Sequence, residues 1–395
     1  MVTRPGELRA ARLSRRAVGM VPSEIRQLME LADACPGAIR LEVGQPDFPT
    51  PDHVVAAADA AARRGETGYA PNAGVPALRE ALAAKVAARN GYAAAPNQVV
   101  VTNGATTAVY TILQAIADPG DELLLPDPTW PTFRMMASVL GLQARPYRLR
   151  AEHGHQPDPD ELAALIGPRT RALLLVSPSN PLGVVLGPER AAAISELAQR
   201  HGIWTIADEV YDEIVFDGPH TSVAAVAPYD QLVSVYSCSK VYAMCGWRVG
   251  YAVAPPSLAP LLGTLQEPVT SSINTPAQHA ALAAVTGPQE SVARMRDAYR
   301  VRRDRAFAQL DRRDLRAVRP TGAFYVWIDV AHAGMHALEL ARALLRECGV
   351  AVAPGSAFGA SGDGAVRISL AAAEDDVVAG IDALADFCAA GGAAA

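Results

Sequence analysis

The chain has 395 residues, 50% hydrophobic and 19% charged, with a formal net charge of −6; that composition belongs to a compact soluble protein, excludes a disordered chain, and at this length suggests two or three domains. A mildly acidic balance gives nucleic acid no electrostatic footprint, and no apolar run is long enough to span a bilayer, so small molecules are the expected partners. Cys35, Cys238, Cys245, Cys348 and Cys388 are odd in number, scattered and without a C-x-x-C pair, which speaks against a disulfide framework or a metal site and for a reducing cytoplasm.

Arg4, Arg9, Arg12, Arg15 and Arg16, opposed only by Glu7, read as an exposed basic arm rather than a transit peptide, because a structured-looking segment starts at Pro22-Ser23-Glu24-Ile25-Arg26. Apolar, β-branched runs of strand length follow at 98–101, 122–125, 171–176, 203–207, 232–236 and 248–253. Between them lie Ala- and Leu-rich stretches with helical spacing, such as 106–117 and 188–201, the second opened by a proline suited to a first turn. Strands alternating with helices imply an α/β fold with a largely parallel sheet covered on both faces. After about residue 285 a long charged helix (294–309) leads to short strands at 324–330, 350–353 and 366–370, with helices at 336–347 and 373–387, the pattern of a smaller α+β domain. The expected organisation is an arm and part of the small domain at 1–45, a large cofactor-binding domain at 46–285, and a small domain at 286–395 ending in a frayed Ala/Gly tail.

Asn103, Asn180, Asp208 and Lys240 each fall at or just beyond the carboxyl end of an expected strand, the edge at which open parallel sheets bind ligands. Thr102-Asn103-Gly104-Ala105-Thr106-Thr107 is a small-residue turn opening a helix, with free N–H groups suited to an anion, although an ordinary helix cap fits the same residues. It is not a Walker loop, since no Gly-Lys-Ser/Thr ending follows. Ser177-Pro178-Ser179-Asn180-Pro181-Leu182-Gly183 is a turn whose Asn180 suits a ligand oxygen. Asp208 closes an apolar strand and is either a turn former or the partner of a buried cation such as a protonated ring nitrogen. Lys240, in Ser237-Cys238-Ser239-Lys240, is either a solvated loop residue or an imine-forming amine readied by a nearby cation, for which Arg248 holding a phosphate would serve. Arg367, in Ala365-Val366-Arg367-Ile368-Ser369, fits an exposed strand edge or a bidentate grip on a carboxylate.

The motifs Gly44-Gln45-Pro46-Asp47-Phe48, Tyr69-Ala70-Pro71-Asn72-Ala73-Gly74, Asn180-Pro181-Leu182-Gly183, Asp208-Glu209-Val210-Tyr211, Ser237-Cys238-Ser239-Lys240, Gly246-Trp247-Arg248-Val249-Gly250-Tyr251 and Arg367-Ile368-Ser369 occur in one order, and with them the chain resembles the pyridoxal-phosphate-dependent aminotransferases of fold type I. The resemblance is to the class I/II group that includes bacterial aspartate aminotransferases and covers about residues 22–387. It implies that Lys240 holds the cofactor aldehyde as an imine and, once released, shuttles the proton between Cα and the cofactor. It further implies that Asp208 pairs with the pyridine nitrogen, that Tyr211 and Asn180 meet its phenolic oxygen, that Trp130 stacks on the ring, and that Val210 packs on its other face. Gly104, Ala105, Thr106, Ser237, Ser239 and Arg248 would enclose the phosphate. Tyr69 would reach the phosphate of a neighbouring subunit, implying a homodimer, and Arg367, the Gly44 backbone and Asn180 would bind the α-carboxylate. The implied reaction is ping-pong transfer of an amino group between an L-amino acid and a 2-oxoacid.

Departures from the family pattern are Leu182 for the usual threonine, Ser177 for a frequent asparagine, and Cys238 between the serines. Thr106 stands near the place where some aspartate-specific relatives carry a lysine, so aspartate specificity is not implied; side-chain choice is expected to depend on Ser23, Glu24, Ile25 and the loop 271–274. The same scaffold also supports lyases, cyclases and oxidases, which share the cofactor. It occurs as well in effector-binding regulators, for which the residues before Gly44 are too few to hold a winged helix-turn-helix and linker.

Overall fold

The computed structural model describes residues 14–391; Arg4, Arg9 and Arg12 of the basic arm and the last residues of the tail lie outside them. The helix Glu24–Asp33 buries Ile25, Leu28 and Ala32 along one face, and β1 (Ile39–Arg40) follows it. A seven-stranded sheet is then built from β2 (Val99–Thr102), β3 (Glu122–Asp127), β4 (Gln143–Arg148), β5 (Thr170–Val176), β6 (Trp204–Asp208), β7 (Leu232–Ser237) and β8 (Gly250–Val253), in the order β2-β8-β7-β6-β5-β3-β4. Only β8 runs against the others, pairing antiparallel with both β2 and β7, so the carboxyl ends of β2, β5, β6 and β7 share one edge. The apolar runs are continuous because both faces are covered: Leu123, Leu125 and Leu174 enter one core, Leu124, Leu173 and Leu175 the other. Burying each such leucine contributes about 1.5–3 kcal/mol relative to leaving it exposed.

Beyond the helix Glu290–Arg312, β9 (Ala317–Val318), β10 (Tyr325–Asp329), β11 (Val350–Ala351), β12 (Ala353–Pro354) and β13 (Ala365–Ser369) follow. Four of them form an antiparallel sheet in the order β12-β13-β10-β9, while β11 pairs in parallel with β1. Leu28 and Leu41 pack with Tyr299, Phe324, Ile368 and Leu384 in one core that also takes Tyr211 and Ile214 from the segment after β6. Residues near the start of the chain are thereby built into the C-terminal layer.

Several expected elements differ in detail. The strand expected at 248–253 begins only at Gly250, because Arg248 takes a left-handed conformation (φ 57°) after a short turn at Cys245–Trp247. The strand expected at 350–353 is two strands serving different sheets, with Pro354, which lacks an N–H, on an edge strand. The expected helix 294–309 extends in both directions to Glu290–Arg312. Strand β4 has no counterpart among the expected elements; it is an edge strand with mostly exposed polar residues and an internal Pro146, so it lacks the apolar signal.

Candidate active site

The edge formed by the carboxyl ends of β2, β5, β6 and β7 closes over a cavity of about 200 Å³, lined among others by Gly44, Ala105, Thr106, Trp130, Asn180, Asp208, Val210, Tyr211, Ser237, Ser239, Lys240 and Arg248. Lys240 sits on a four-residue helix, Cys238–Val241, directly after β7, and the Ser237 side chain caps that helix by accepting from the Ser239 N–H. Its Nζ donates to the Gly44 carbonyl at 2.6 Å and to Cys245 Sγ at 3.6 Å. The amine is thus held inside the cavity rather than in solvent.

Asp208 is the last residue of β6 and is buried. Its neighbours clamp the backbone: Ser177 N donates to the Asp208 carbonyl and Glu209 N to Val235 O. The side chain accepts from Val210 N at 3.2 Å, yet burial pushes its carboxyl up to about 7, helped by the adjacent Glu209 and opposed by Val210 and Lys240. A buried carboxyl in that state is suited to a cationic partner placed in the cavity.

At the other end, Gly104 (φ +79°) leads into the helix Ala105–Ile116, whose Thr107 and Ala108 amides bond the Gly104 carbonyl. The Ala105 and Thr106 amides belong to the first turn, where no intrahelical acceptor exists. A Cβ on Gly104 would collide with the Arg248 guanidinium, which donates to the Cys245 and Asn103 carbonyls. The positive φ favours glycine there, and a side chain would displace the Arg248 guanidinium from its present place. Two amides, Ser237, Ser239 and Arg248 together make an anion cradle. Asn103 itself does not line the cavity; it contributes its carbonyl as a partner of Arg248.

Arg367, on β13, is 1% exposed. Its Nη1 donates to Asn180 Oδ1 at 3.0 Å and its Nη2 to the Glu42 carbonyl, while Nε has no partner. Burial pulls its pKa down, with Tyr325, Tyr211 and Glu42 acting in the opposite sense. A buried guanidinium with an unfilled donor fits a carboxylate ligand.

Tyr69 is 93% exposed and takes no part in this chain's cavity. Ser23, Glu24 and Ile25 do not line it either: Glu24 Oε2 accepts from Ser356 Oγ, and Ile25 belongs to the core. Asn274 caps the helix Thr275–Thr286. Six cavity residues escaped the sequence reading: the apolar Val109, Phe133, Met136 and Val176, and two polar ones, Tyr325 and Cys245. Tyr325, whose hydroxyl lies 2.8 Å from that of Tyr211, sits in an aromatic run that reads as core. Cys245 gives no signal in the sequence beyond its place before Gly246.

The cavity offers an anion cradle at one end, an aromatic wall at Trp130, a buried acid, an amine within reach, and Asn180; Arg367 does not itself line the cavity and is joined to it through its bond to Asn180. The family model for aminotransferase class I and II matches residues 36–383. The chain is 39% identical over 372 residues to an aspartate/prephenate aminotransferase of Thermus thermophilus, covering 92% of this chain and 96% of that one. It is also 40% identical over 332 residues to an arginine–pyruvate transaminase of Pseudomonas aeruginosa, covering 84% of each. Among solved structures, the aspartate aminotransferase from Thermus thermophilus with maleate superposes with a TM-score of 0.91 at 38% identity, covering 95% of this chain and 99% of that one.

Proposed function

This chain belongs to the class I and II aminotransferases, and we propose that it moves an amino group between an L-amino acid and a 2-oxoacid in two half-reactions that use one pyridoxal phosphate held in the cavity around Lys240. Members of the family depend on that cofactor, and the residues present fit it. The amides of Ala105 and Thr106, the hydroxyls of Ser237 and Ser239 and the Arg248 guanidinium suit its phosphate; Trp130 and Val210 suit the two faces of its ring; Asp208, uncomfortable as an unpaired buried anion, suits its ring nitrogen. The observation that carries the reading is the convergence of Lys240, Asp208 and Asn180 on one cavity from three separate segments of the chain, with Arg367 hydrogen-bonded to Asn180 behind the cavity wall.

When bound, the cofactor supplies an electron-poor ring able to take up the electron pair left as the Cα–H bond breaks. The chain supplies the rest. Arg367 and Asn180 hold the substrate carboxylate; Lys240 Nζ, beside the Gly44 carbonyl, takes the proton from Cα and would deliver it to the cofactor rather than back to Cα, and in the second half-reaction it carries a proton the other way. A positioned general base of this kind contributes about 10²–10⁴-fold in rate.

We assign Tyr69 to the cavity of a second copy, giving a homodimer; its 93% exposure, unusual for so large a side chain, supports that role. Five unpaired cysteines support a cytoplasmic setting. The relatives are named for different donors, aspartate with prephenate in one case and arginine in another, so the donor is left to experiment. Supplied with its donor and no acceptor, the loaded enzyme should form one oxoacid per active site and stop, resuming when an oxoacid is added. Continued oxoacid release with ammonia and no acceptor would replace the transferase reading with a lyase.

A further inference from the structure

Tyr325 touches three parts of the site at once. Its hydroxyl lies 2.8 Å from the Tyr211 hydroxyl. The Arg367 guanidinium lies over its ring, 4.2 Å from the centroid. A Cβ on Gly44 would collide with its Oη, so the phenol lies flush against the segment whose carbonyl accepts from Lys240. Strand register explains the second contact: Tyr325 faces Ser369 across the β10–β13 ladder, and Arg367, opposite Trp327, is its diagonal neighbour on the same face.

We propose that Tyr325 is a positioning residue with two separable parts: its hydroxyl sets the direction of the Tyr211 hydroxyl, and its ring face holds the Arg367 guanidinium in plane. The proposal rests on the carboxylate role given above to Arg367 and on the placement of Tyr211 against the cofactor's phenolic oxygen that the family resemblance implies. A phenol has one proton and two lone pairs. Burial favours the neutral Tyr211 phenol, so what Tyr211 can offer the cavity is one O–H, and its direction matters. Donation from Tyr325 fills one lone pair of Tyr211 and leaves the Tyr211 proton to point into the cavity. At Arg367, hydrogen bonds to Asn180 and Glu42 fix rotation within the guanidinium plane, while the rings of Tyr325 and Phe358, at 4.2 and 4.9 Å, fix the plane itself. Removing one ring leaves a face of the cation unsupported.

The test compares holoenzyme variants: Tyr325→Phe keeps the ring and drops the hydroxyl, Tyr325→Leu drops both, and Tyr211→Phe with and without Tyr325→Phe completes a cycle. Two quantities are read: the pH midpoint of the bound cofactor's absorbance, and KM against kcat for one donor. A donor held against the cofactor's phenolic oxygen favours its charged form, so loosening that donor moves the midpoint upward. The expected result is an upward shift of up to about one pH unit for Tyr325→Phe, with KM changed less than about twofold, and no further shift once Tyr211 is Phe. Tyr325→Leu should in addition raise KM about tenfold. A midpoint that moves for Tyr211→Phe but not for Tyr325→Phe overturns the proposal and leaves the Tyr211 assignment standing; no movement in either overturns both. Equal shifts from Tyr325→Phe in the two Tyr211 backgrounds also overturn it, because a general loosening of the fold would do the same. Should Tyr325→Leu fail to fold, Phe358→Leu exposes the other face of Arg367, and an unchanged KM there overturns the ring's part.

Discussion

Asn180 Oδ1 accepts a 3.0 Å hydrogen bond from Arg367 Nη1, joining the turn after β5 to strand β13 through two buried side chains 187 residues apart. The bond occupies the amide oxygen of Asn180 and leaves its Nδ2 donors for a ligand. It also fixes the position of the guanidinium fork.

Arg367→Lys should therefore not behave as a conservative change. A lysine keeps the charge but has no planar fork and cannot use both aromatic faces. Losing one partner of a buried, hydrogen-bonded charge pair costs about 2–5 kcal/mol, so kcat/KM should fall roughly 10²–10³-fold, with most of the loss in KM. Steady-state kinetics with any accepted donor checks this, and an unchanged KM would remove Arg367 from the carboxylate site.

Asp208→Asn should stabilise the cofactor-free protein while weakening its hold on the cofactor. Burial raises the Asp208 carboxyl from its ordinary 3.8 to about 7. A raised carboxyl means the folded state disfavours the charged form, so the cost to stability is absent below about pH 4, grows as pH rises towards about 7, and is full above it. At about 1.4 kcal/mol per pH unit between the two values, the relief on substitution reaches a few kcal/mol, as an order of magnitude. Thermal unfolding of both cofactor-free proteins across that range gives the check: the variant's advantage should widen from acid to neutral pH, and a pH-independent difference would contradict it.

His220 provides the opposite sign. It is buried, with Nε2 3.2 Å from Glu209 Oε2, and Glu209 in turn accepts from Ser222, Val223 N and Tyr236. Burial alone would lower the imidazole pKa, but the bond and charge of Glu209, with Asp212, outweigh burial and the opposing Lys85, and the pKa is raised above 6.5. The stabilisation is then complete below pH 6.5 and is lost as pH rises through the folded value. His220→Gln should cost about 1–3 kcal/mol in mildly acid solution, with the gap narrowing on the alkaline side. A gap that widens with pH would show that the histidine is held neutral.

Much of this site was legible because polar residues interrupt apolar strands at one end. Asp208 ends Trp204–Asp208, Lys240 follows Leu232–Ser237, and Asn180 lies just past Thr170–Val176, so the ligand-binding edge could be drawn before any coordinates. The contacts that hold those residues were not legible, since they depend on register and backbone angle. Tyr325 hides among Phe324, Val326 and Trp327, and only the diagonal pairing with β13 places its ring under Arg367. Arg248 reads as the start of a strand, and only its left-handed backbone turns it towards Gly104. Strand β4 was lost because an exposed edge needs no apolar pattern.

The account turns on Lys240 as the base at Cα. The direct measurement is solvent-deuterium exchange at Cα of an accepted amino acid, followed by proton NMR for the holoenzyme and for Lys240→Ala loaded with the same cofactor. Exchange should proceed in the parent and fall about 10²–10⁴-fold in the variant, while the variant still binds cofactor through the Ala105–Thr106 amides, Arg248 and Asp208. Exchange at the parent rate in Lys240→Ala would contradict the account.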